Sequence, residues 1–128
     1  MNHHRILWPL LAMLPIVAAV PGCGRTTPPP VTSPDTGHPG RGAELIARYG
    51  CGSCHTVPGV DGANGLVGPP LTRFGARSYI AGELPNSAEN LERWITDPQA
   101  VEPGTAMPNL GVDPIDAQDI AAYLHTLD

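Results

Sequence analysis

The chain has 128 residues, enough for one small domain, with 15 Gly, 16 Pro and only 5% aromatic residues. This composition provides few side chains for an apolar core, so a domain of this size usually needs additional stabilisation from a cross-link or a bound group. The formal net charge is −5 and the chain contains no Lys, which argues against nucleic acid or an acidic membrane face as a direct partner.

Residues 1–22 have the pattern of an export signal rather than of a folded element. The apolar stretch Ile6–Val20 has 15 residues, fewer than the about 20 of a membrane-spanning helix. Pro21-Gly22-Cys23 follows this stretch and, with Val20, resembles a bacterial lipobox. We therefore expect cleavage before Cys23 and lipidation of this residue, which would anchor the protein on the periplasmic side of a bacterial membrane. Ordinary cleavage nearby and an uncleaved anchor stay open as alternatives.

Residues 23–40 are predicted to form a Pro-rich linker. The stretch has no hydrophobic periodicity and is not expected to pack. Pro-rich chains extend by about 3.1 Å per residue, so the roughly 16 residues after the lipobox would reach roughly 50 Å. Such a tether would let an anchored domain, predicted over residues 41–128, move between partners.

The first predicted helix covers residues 41 to about 50 and ends at a capping Gly50. Four of its residues recur at helical spacing on one face, namely Gly42, Leu45, Ile46 and Tyr49. The helix therefore delivers the chain directly to Cys51.

The stretch Cys51-Gly52-Ser53-Cys54-His55 has the C-x-x-C-H spacing of a covalent attachment site for a c-type haem. Two thiols at this spacing can each form a thioether bond to one porphyrin, and His55 then offers an imidazole nitrogen to the iron. A thioredoxin-like redox pair or half of a zinc site can contain the same letters, so the remaining motifs have to discriminate.

Residues 56–85 are predicted to be a long loop, rich in Gly and Pro. A loop of this length is unusual in a compact domain unless the chain wraps around a cofactor. It contains Gly68-Pro69-Pro70-Leu71. A metal-bound His usually donates its second ring N–H to a carbonyl, and the carbonyl of Pro69 is the predicted acceptor for His55. An ordinary Pro turn is the alternative.

A second helix is predicted to open at a capping box, Asn86-Ser87-Ala88-Glu89, and to end before Pro98. Its apolar face contains Leu91, Trp94 and Ile95. Trp94 could pack on a porphyrin or serve as ordinary core.

Met107 lies in a loop bounded by Pro103 and Pro108, 52 residues after His55. Met1 and Met13 fall in the predicted signal, so Met107 would be the single Met of the mature protein. Its thioether is a candidate sixth ligand to iron, and core filler is the alternative.

The last helix is predicted to start at Asp113-Pro114, a capping residue followed by Pro at the first helical position. Its apolar stripe consists of Ile120, Leu124 and Leu127, and Asp116 and Asp119 lie toward its positive end. We expect it to pack against the first helix, with Gly42 permitting close approach. His38 and His125 could in principle replace Met107 at iron, but both are expected at the surface.

Together these motifs resemble class I cytochromes c over residues 41–127, and residues 84–127 are similar to the cytochrome c domains that accompany bacterial haem-copper oxidases. The resemblance implies an all-α fold, the small class I cytochrome c fold, with three main helices and long loops around one haem c bound covalently through Cys51 and Cys54. It implies axial ligation by His55 and Met107, supported by the Pro69 carbonyl. The implied candidates for binding the haem propionates are Arg77, Tyr79, Trp94 and Thr105, with Arg73 a weaker one.

With both axial positions filled by the protein, we expect a monomeric one-electron carrier and not an enzyme. The resemblance implies a quinol-oxidising complex as donor and a terminal oxidase as acceptor. After Cys23 the chain has six Arg and twelve acidic residues, so docking must be apolar, based on Arg, aided by tethering, or directed at a basic patch. The alternatives are a permanently docked haem c subunit of a larger membrane oxidoreductase, a ligand-sensing or peroxidatic haem protein, and a thiol-disulfide enzyme.

Overall fold

The computed structural model describes residues 36–128. The export signal predicted for residues 1–22, the lipidation predicted at Cys23 and the linker up to residue 35 lie outside this range. The described elements are helix α1 (Pro39–Arg48), a 3-10 turn (Cys51–Ser53), strands β1 (Tyr79–Ile80) and β2 (Leu84–Pro85), and helices α2 (Ala88–Thr96), α3 (Pro98–Val101) and α4 (Pro114–His125). The two short strands pair antiparallel, with Tyr79 opposite Pro85 and Ile80 opposite Leu84. The predicted all-α class with long loops is confirmed.

Helix α1 begins two residues earlier than predicted, at Pro39. A Pro in the first turn loses no helical hydrogen bond and has its φ already set for the helix. The helix ends at Arg48 with Tyr49 as C-cap, and Gly50 follows in the left-handed region with φ 72°. Gly50 therefore ends the helix in the way predicted, since a residue without a Cβ adopts this conformation at little cost.

The last five residues of the predicted linker belong to the folded domain, which corrects the expectation that residues 36–40 do not pack. Gly37 lies against α4, where a Cβ would stand 2.5 Å from the carbonyl oxygen of Gln118 and 2.9 Å from Ala122 Cβ. The backbone N–H of His38 donates to Asp119 Oδ1 at 2.6 Å. Gly37 and His38 make these contacts with backbone atoms rather than with apolar side chains, so the hydropathy pattern does not indicate them.

Helices α1 and α4 pack together at Gly42, as predicted. A Cβ at this position would lie 2.1 Å from the carbonyl oxygen of Asp119 and 2.8 Å from Tyr123 Cβ. Only Gly leaves room for the two backbones at this distance. The apolar residues that fill the core around this contact come from the helices and from the loops between them, and they include Leu45, Ile46, Val57, Phe74, Ile80, Leu91, Ile120 and Leu124.

A cluster of charged residues joins the same two helices beside Gly42. The guanidinium of Arg41 donates to Asp116 Oδ1 and to Asp119 Oδ2, and the hydroxyl of Tyr49 donates to Asp116 Oδ2 at 2.8 Å. Both carboxylates are buried, with Asp119 only 2% exposed. The hydrogen bond from Tyr49, with that from Arg41, lowers the pKa of Asp116 against the opposing effect of burial.

Arg41→Ala is expected to lower the thermal unfolding midpoint at neutral pH, because two buried carboxylates then lose their shared cation. The pKa of Asp116 is lowered in the folded chain, so its stabilisation is present above the ordinary Asp value and is lost as the pH falls below it. The difference between the parent and the variant should therefore shrink below about pH 4. Arg93→Ala is the matched control, since Arg93 is exposed on α2 and donates to Asn90. An equal loss in both variants would contradict the expectation.

Helix α2 is capped by Ser87, whose hydroxyl accepts from the N–H of Asn90 at 3.3 Å, and not by Asn86 as the predicted capping box requires. Asn86 instead donates to the carbonyls of Phe74 and Arg77, at 3.0 Å each. The amide side chain has two donors and finds two loop carbonyls, so tertiary contacts override the local signal.

Pro98 ends α2 as predicted and also begins α3, which the sequence did not indicate. Asp97 caps α3 by accepting from the N–H of Ala100 at 3.2 Å, and Pro98 is buried. None of the helices between residues 36 and 128 has the length and apolar character needed to cross a membrane.

Candidate functional site

A cavity of about 380 Å³ opens between the helices and the long loops. This volume lies in the range of roughly 300–1,000 Å³ that is typical of ligand and cofactor pockets. Three helices contribute apolar side chains to its wall, among them Ile46 of α1, Leu91, Trp94 and Ile95 of α2, and Ile120 and Leu124 of α4. Four chemically distinctive side chains line the same cavity, Cys51, Cys54, His55 and Met107.

The 3-10 turn brings both thiols and the imidazole to the cavity. It starts after the left-handed Gly50 and is closed by hydrogen bonds from the N–H groups of Cys54 and His55 to the carbonyl of Cys51, at 3.2 and 3.0 Å. Cys51 and Cys54 are both partly buried and form no disulfide bond. Burial raises the pKa of the Cys51 thiol, whereas a nucleophilic redox cysteine has a lowered pKa. Burial thus disfavours the thiolate form of Cys51.

His55 is held from behind by the loop that contains Gly68 and Pro69. Its Nδ1 lies 2.7 Å from the carbonyl oxygen of Pro69, the acceptor predicted from the sequence. Gly68 donates its N–H to the carbonyl of Cys54 at 2.8 Å, and a Cβ on Gly68 would lie 2.4 Å from His55 Cε1. The loop therefore packs flat against the ring and leaves Nε2 as the nitrogen free for a metal.

Met107 lies in the loop after α3 and is partly buried. Arg77, Trp94 and Thr105, three of the predicted propionate partners, line the cavity with it. The Arg77 guanidinium donates to the carbonyls of Pro70 and Thr72 and lies 5.1 Å from the centre of the Phe74 ring. The structure thus brings the predicted ligands and three of the four main propionate candidates to one cavity.

Tyr79, the fourth propionate candidate, does not line the cavity with them. It lies on β1 with its side chain 60% exposed, while the adjacent Ile80 is buried and lines the cavity. Successive residues of a strand point to opposite faces, so placing Ile80 inside directs Tyr79 outward. Arg73, the weaker candidate, is exposed and adopts a left-handed backbone with φ 52°.

The two alternative histidines do not line the cavity. His38 is the exposed N-cap residue of α1. His125 is partly buried and its Nε2 lies 3.1 Å from Asn86 Oδ1, and burial lowers its pKa.

Several loop residues line the cavity although the sequence did not single them out, namely Val67, Phe74, Ala81, Leu110 and Val112. They are apolar residues in segments without periodicity, so no helical or strand pattern marks them. In the sequence, these residues can be noticed as apolar positions within stretches that are otherwise polar and rich in Gly and Pro.

The donor set fits a haem bound through thioethers. Two thiols, an imidazole with its second nitrogen hydrogen-bonded, and a thioether all line one largely apolar cavity, which is the set that haem c uses. Among residues 36–128, no group of three or more His, Cys, Asp or Glu side chains is placed to hold a separate metal ion.

Comparison with known proteins agrees with a site for haem c. The family model described as Cytochrome c matches residues 40–128. The chain is 40% identical over 88 residues to cytochrome c oxidase subunit 2 of Alkalihalophilus pseudofirmus. This alignment covers 68% of the present chain and 25% of that relative. It is 41% identical over 66 residues to the subunit 2 of a Bacillus species, strain PS3, covering 50% of this chain and 18% of the relative.

The cytochrome c oxidase subunit 2 of Bacillus subtilis is 35% identical over 69 residues, with 52% of this chain and 19% of that relative covered. The chain therefore spans a quarter or less of the length of these curated relatives. No solved structure matches the chain.

Proposed function

Because the chain belongs to the cytochrome c family, we propose that it is a one-electron carrier that passes electrons to a terminal oxidase from the periplasmic side of a bacterial membrane. Its cofactor is haem c, bound covalently through the cysteine pair. The observation that supports the carrier function most directly is the convergence of Cys51, Cys54, His55 and Met107 on one cavity.

Haem c, when bound, supplies an iron that takes up and releases one electron. Cys51 and Cys54 would hold the ring through thioether bonds, and His55 and Met107 would ligate its iron. The carbonyl of Pro69 orients His55 and increases its basicity through the Nδ1 hydrogen bond. With both residues bound, the iron would have no open position for small ligands, which would favour electron transfer over oxygen or peroxide chemistry.

Arg77, Trp94 and Thr105 are proposed to bind the haem propionates. All three line the cavity, and Arg77 is held in place by two loop carbonyls and by the Phe74 ring. A guanidinium fixed in this way offers its remaining donors to a carboxylate at little cost in side-chain entropy.

The acceptor is proposed from the relatives, which are named as subunits of cytochrome c oxidase. A quinol-oxidising complex is the proposed donor. The same relatives favour a second candidate, a permanently docked haem c subunit of a larger membrane oxidoreductase. Co-purification of the chain with a membrane complex at high salt would favour this second candidate over a mobile carrier.

The rim of the cavity supports an apolar docking surface for the oxidase. Val67 and Leu110 line the cavity and are also 83% and 39% exposed, and Leu66, which precedes Val67 in the chain, is 89% exposed. The chain contains no Lys with which to ring this opening. Docking through Val67, Leu110 and Leu66 would depend on apolar burial and only weakly on ionic strength.

Val67→Asp is expected to lower the second-order rate of electron transfer to the oxidase by roughly tenfold, since a charge replaces an apolar contact at the centre of the interface. Ile115→Asp is the control, because Ile115 is 68% exposed on α4 and does not line the cavity. Stopped-flow oxidation of the reduced protein by oxidase measures both rates. Equal slowing by the two substitutions, or a rate of the parent that falls steeply with salt, would argue against the apolar surface.

The full proposal is tested on the mature protein from cells that attach haem c. Intact mass spectrometry should report one haem, removal of residues 1–22 and acyl chains on Cys23, and Cys23→Ser should release the protein from membranes. The ferric protein should resist cyanide at neutral pH. A colourless product, or an iron that binds cyanide freely, would overturn the carrier function, whereas an unmodified Cys23 would overturn only the anchor.

A further inference from the structure

The side chain of Gln99 is hydrogen-bonded to the loop that carries Met107 through both ends of its amide. Its Nε2 donates to the carbonyl of Thr105 at 2.9 Å and to the carbonyl of Met107 at 3.0 Å. Its Oε1 accepts from the N–H of Gly104 at 3.1 Å. Gln99 thus contacts three residues of the loop, one of them Met107 itself.

We propose that Gln99 is a positioning residue that holds the 104–107 loop closed and thereby keeps the Met107 thioether in the cavity. This inference rests on the proposed function, in which Met107 is an axial ligand of the haem iron. Gln99 does not contact the cofactor in this proposal, since it acts through the backbone of the ligand loop.

The loop has few other means of keeping its shape. It is bounded by Pro103 and Pro108, which have no N–H to donate. A turn is closed by the N–H of Thr105 and the carbonyl of Glu102 at 3.1 Å, and Gly104 adopts a left-handed backbone with φ 87°. The two carbonyls on either side of Ala106 are both bound by the Gln99 amide, so a single side chain defines the path of the chain into Met107.

Helix α3, which carries Gln99, is itself held in place. Pro98 is buried at the start of α3, and Asp97 caps the helix through the N–H of Ala100. The N–H of Glu102 closes the helix on the carbonyl of Pro98 at 2.9 Å. Because α3 is short and tied down at both ends, the three hydrogen bonds transmit its position to the loop.

Gln99→Ala and Gln99→Glu separate this role from simple packing. Alanine removes all three hydrogen bonds. Glutamate has the same shape and keeps an acceptor for the N–H of Gly104, but at neutral pH it has no proton to donate to the two carbonyls. If the hydrogen bonds donated by Gln99 Nε2 hold the loop, both variants should open it. Glutamate should then restore no more of the closed loop than alanine does.

The readout is the rate at which ferric protein binds cyanide at a fixed neutral pH, which requires Met107 to leave the iron. We expect a roughly ten- to hundredfold increase in both variants, in keeping with the loss of two or three hydrogen bonds. We also expect the sulfur-to-iron charge-transfer band to disappear on heating well before the far-ultraviolet circular dichroism does. A purely structural role would shift both signals together.

Asn109→Ala is the matched control, since it removes an amide whose Oδ1 accepts from the N–H of Gly111 at 2.9 Å, just beyond the ligand loop. Parent-like cyanide rates in both Gln99 variants, or the same acceleration in Asn109→Ala, would overturn the role of Gln99. Met107→Ala is measured beside them. If it leaves the charge-transfer band in place, the proposed ligation fails, and that failure is distinct from a failure of the Gln99 inference.

Discussion

Met107→Ala is expected to abolish the sulfur-to-iron charge-transfer band and to lower the midpoint potential on the order of a few tenths of a volt. Axial ligands set haem potentials over a range of about 0.8 V, and a thioether raises the potential relative to ligands that donate more strongly. With the thioether removed, water or another ligand would take its place and stabilise the ferric ion. Absorption spectra and a redox titration of the haem-bound protein measure both changes.

Leu110→Ala is the control for this substitution, because it removes an apolar side chain from the same cavity without removing a candidate ligand. It should keep the band and shift the potential far less. A Met107→Ala protein that retains the band and the parent potential would show that another residue ligates the iron. The proposed function would then need a different sixth ligand, although the covalent haem would remain.

Gly42→Ala is expected to destabilise the domain by about 3 kcal/mol or more, the upper end of the cost of overpacking. The new methyl group would lie 2.1 Å from the carbonyl oxygen of Asp119 and 2.8 Å from Tyr123 Cβ. The first of these neighbours is backbone and cannot rotate away, so α1 and α4 would have to separate. In a domain of this size the thermal midpoint should fall by roughly 10 °C or more.

Gly40→Ala provides a matched comparison two positions earlier in α1. No atom lies within 4 Å of a Cβ built there, and replacing Gly by Ala in a helix stabilises it by up to about 1 kcal/mol. Guanidinium unfolding of the two haem-bound variants should therefore give shifts of opposite sign. A neutral Gly42→Ala would mean that the helices can move apart without loss and that the close contact contributes little.

Features encoded by local spacing could be predicted from the sequence. The C-x-x-C-H segment, the Gly68-Pro69 turn behind His55 and the loop carrying Met107 were all indicated by short motifs, and the structure gathers them at one cavity. The packing of α1 on α4 was predicted from one small residue, Gly42, on an apolar face. In each case the relevant pattern lies within one element or a few neighbouring residues.

Most hydrogen bonds and ion pairs between particular side chains and their partners could not be predicted. Arg41 binds Asp116 and Asp119, which are 75 and 78 positions away, and each of these residues alone looks like an ordinary surface charge. Asn86 matches a capping box but bonds to loop carbonyls instead. Gln99 has no sequence signal, since a polar residue on an exposed position of a short helix is unremarkable until its three partners are seen.

The contact of Gly37 with α4 determines which interactions would resist a pulling force applied at the N-terminal end of the described domain. Gly37 lies against Gln118 and Ala122, whereas Ile120 and Leu124 line the cavity; steps of two residues turn a helix by about 200°, so these pairs lie on opposite sides of α4. Tension applied at residue 36 would act on the hydrogen bond from the His38 N–H to the Asp119 carboxylate. It would also act on the hydrogen bonds from Arg41 to Asp116 and Asp119. The α4 residues that line the cavity therefore lie on the side of this helix that faces away from the Gly37 contact.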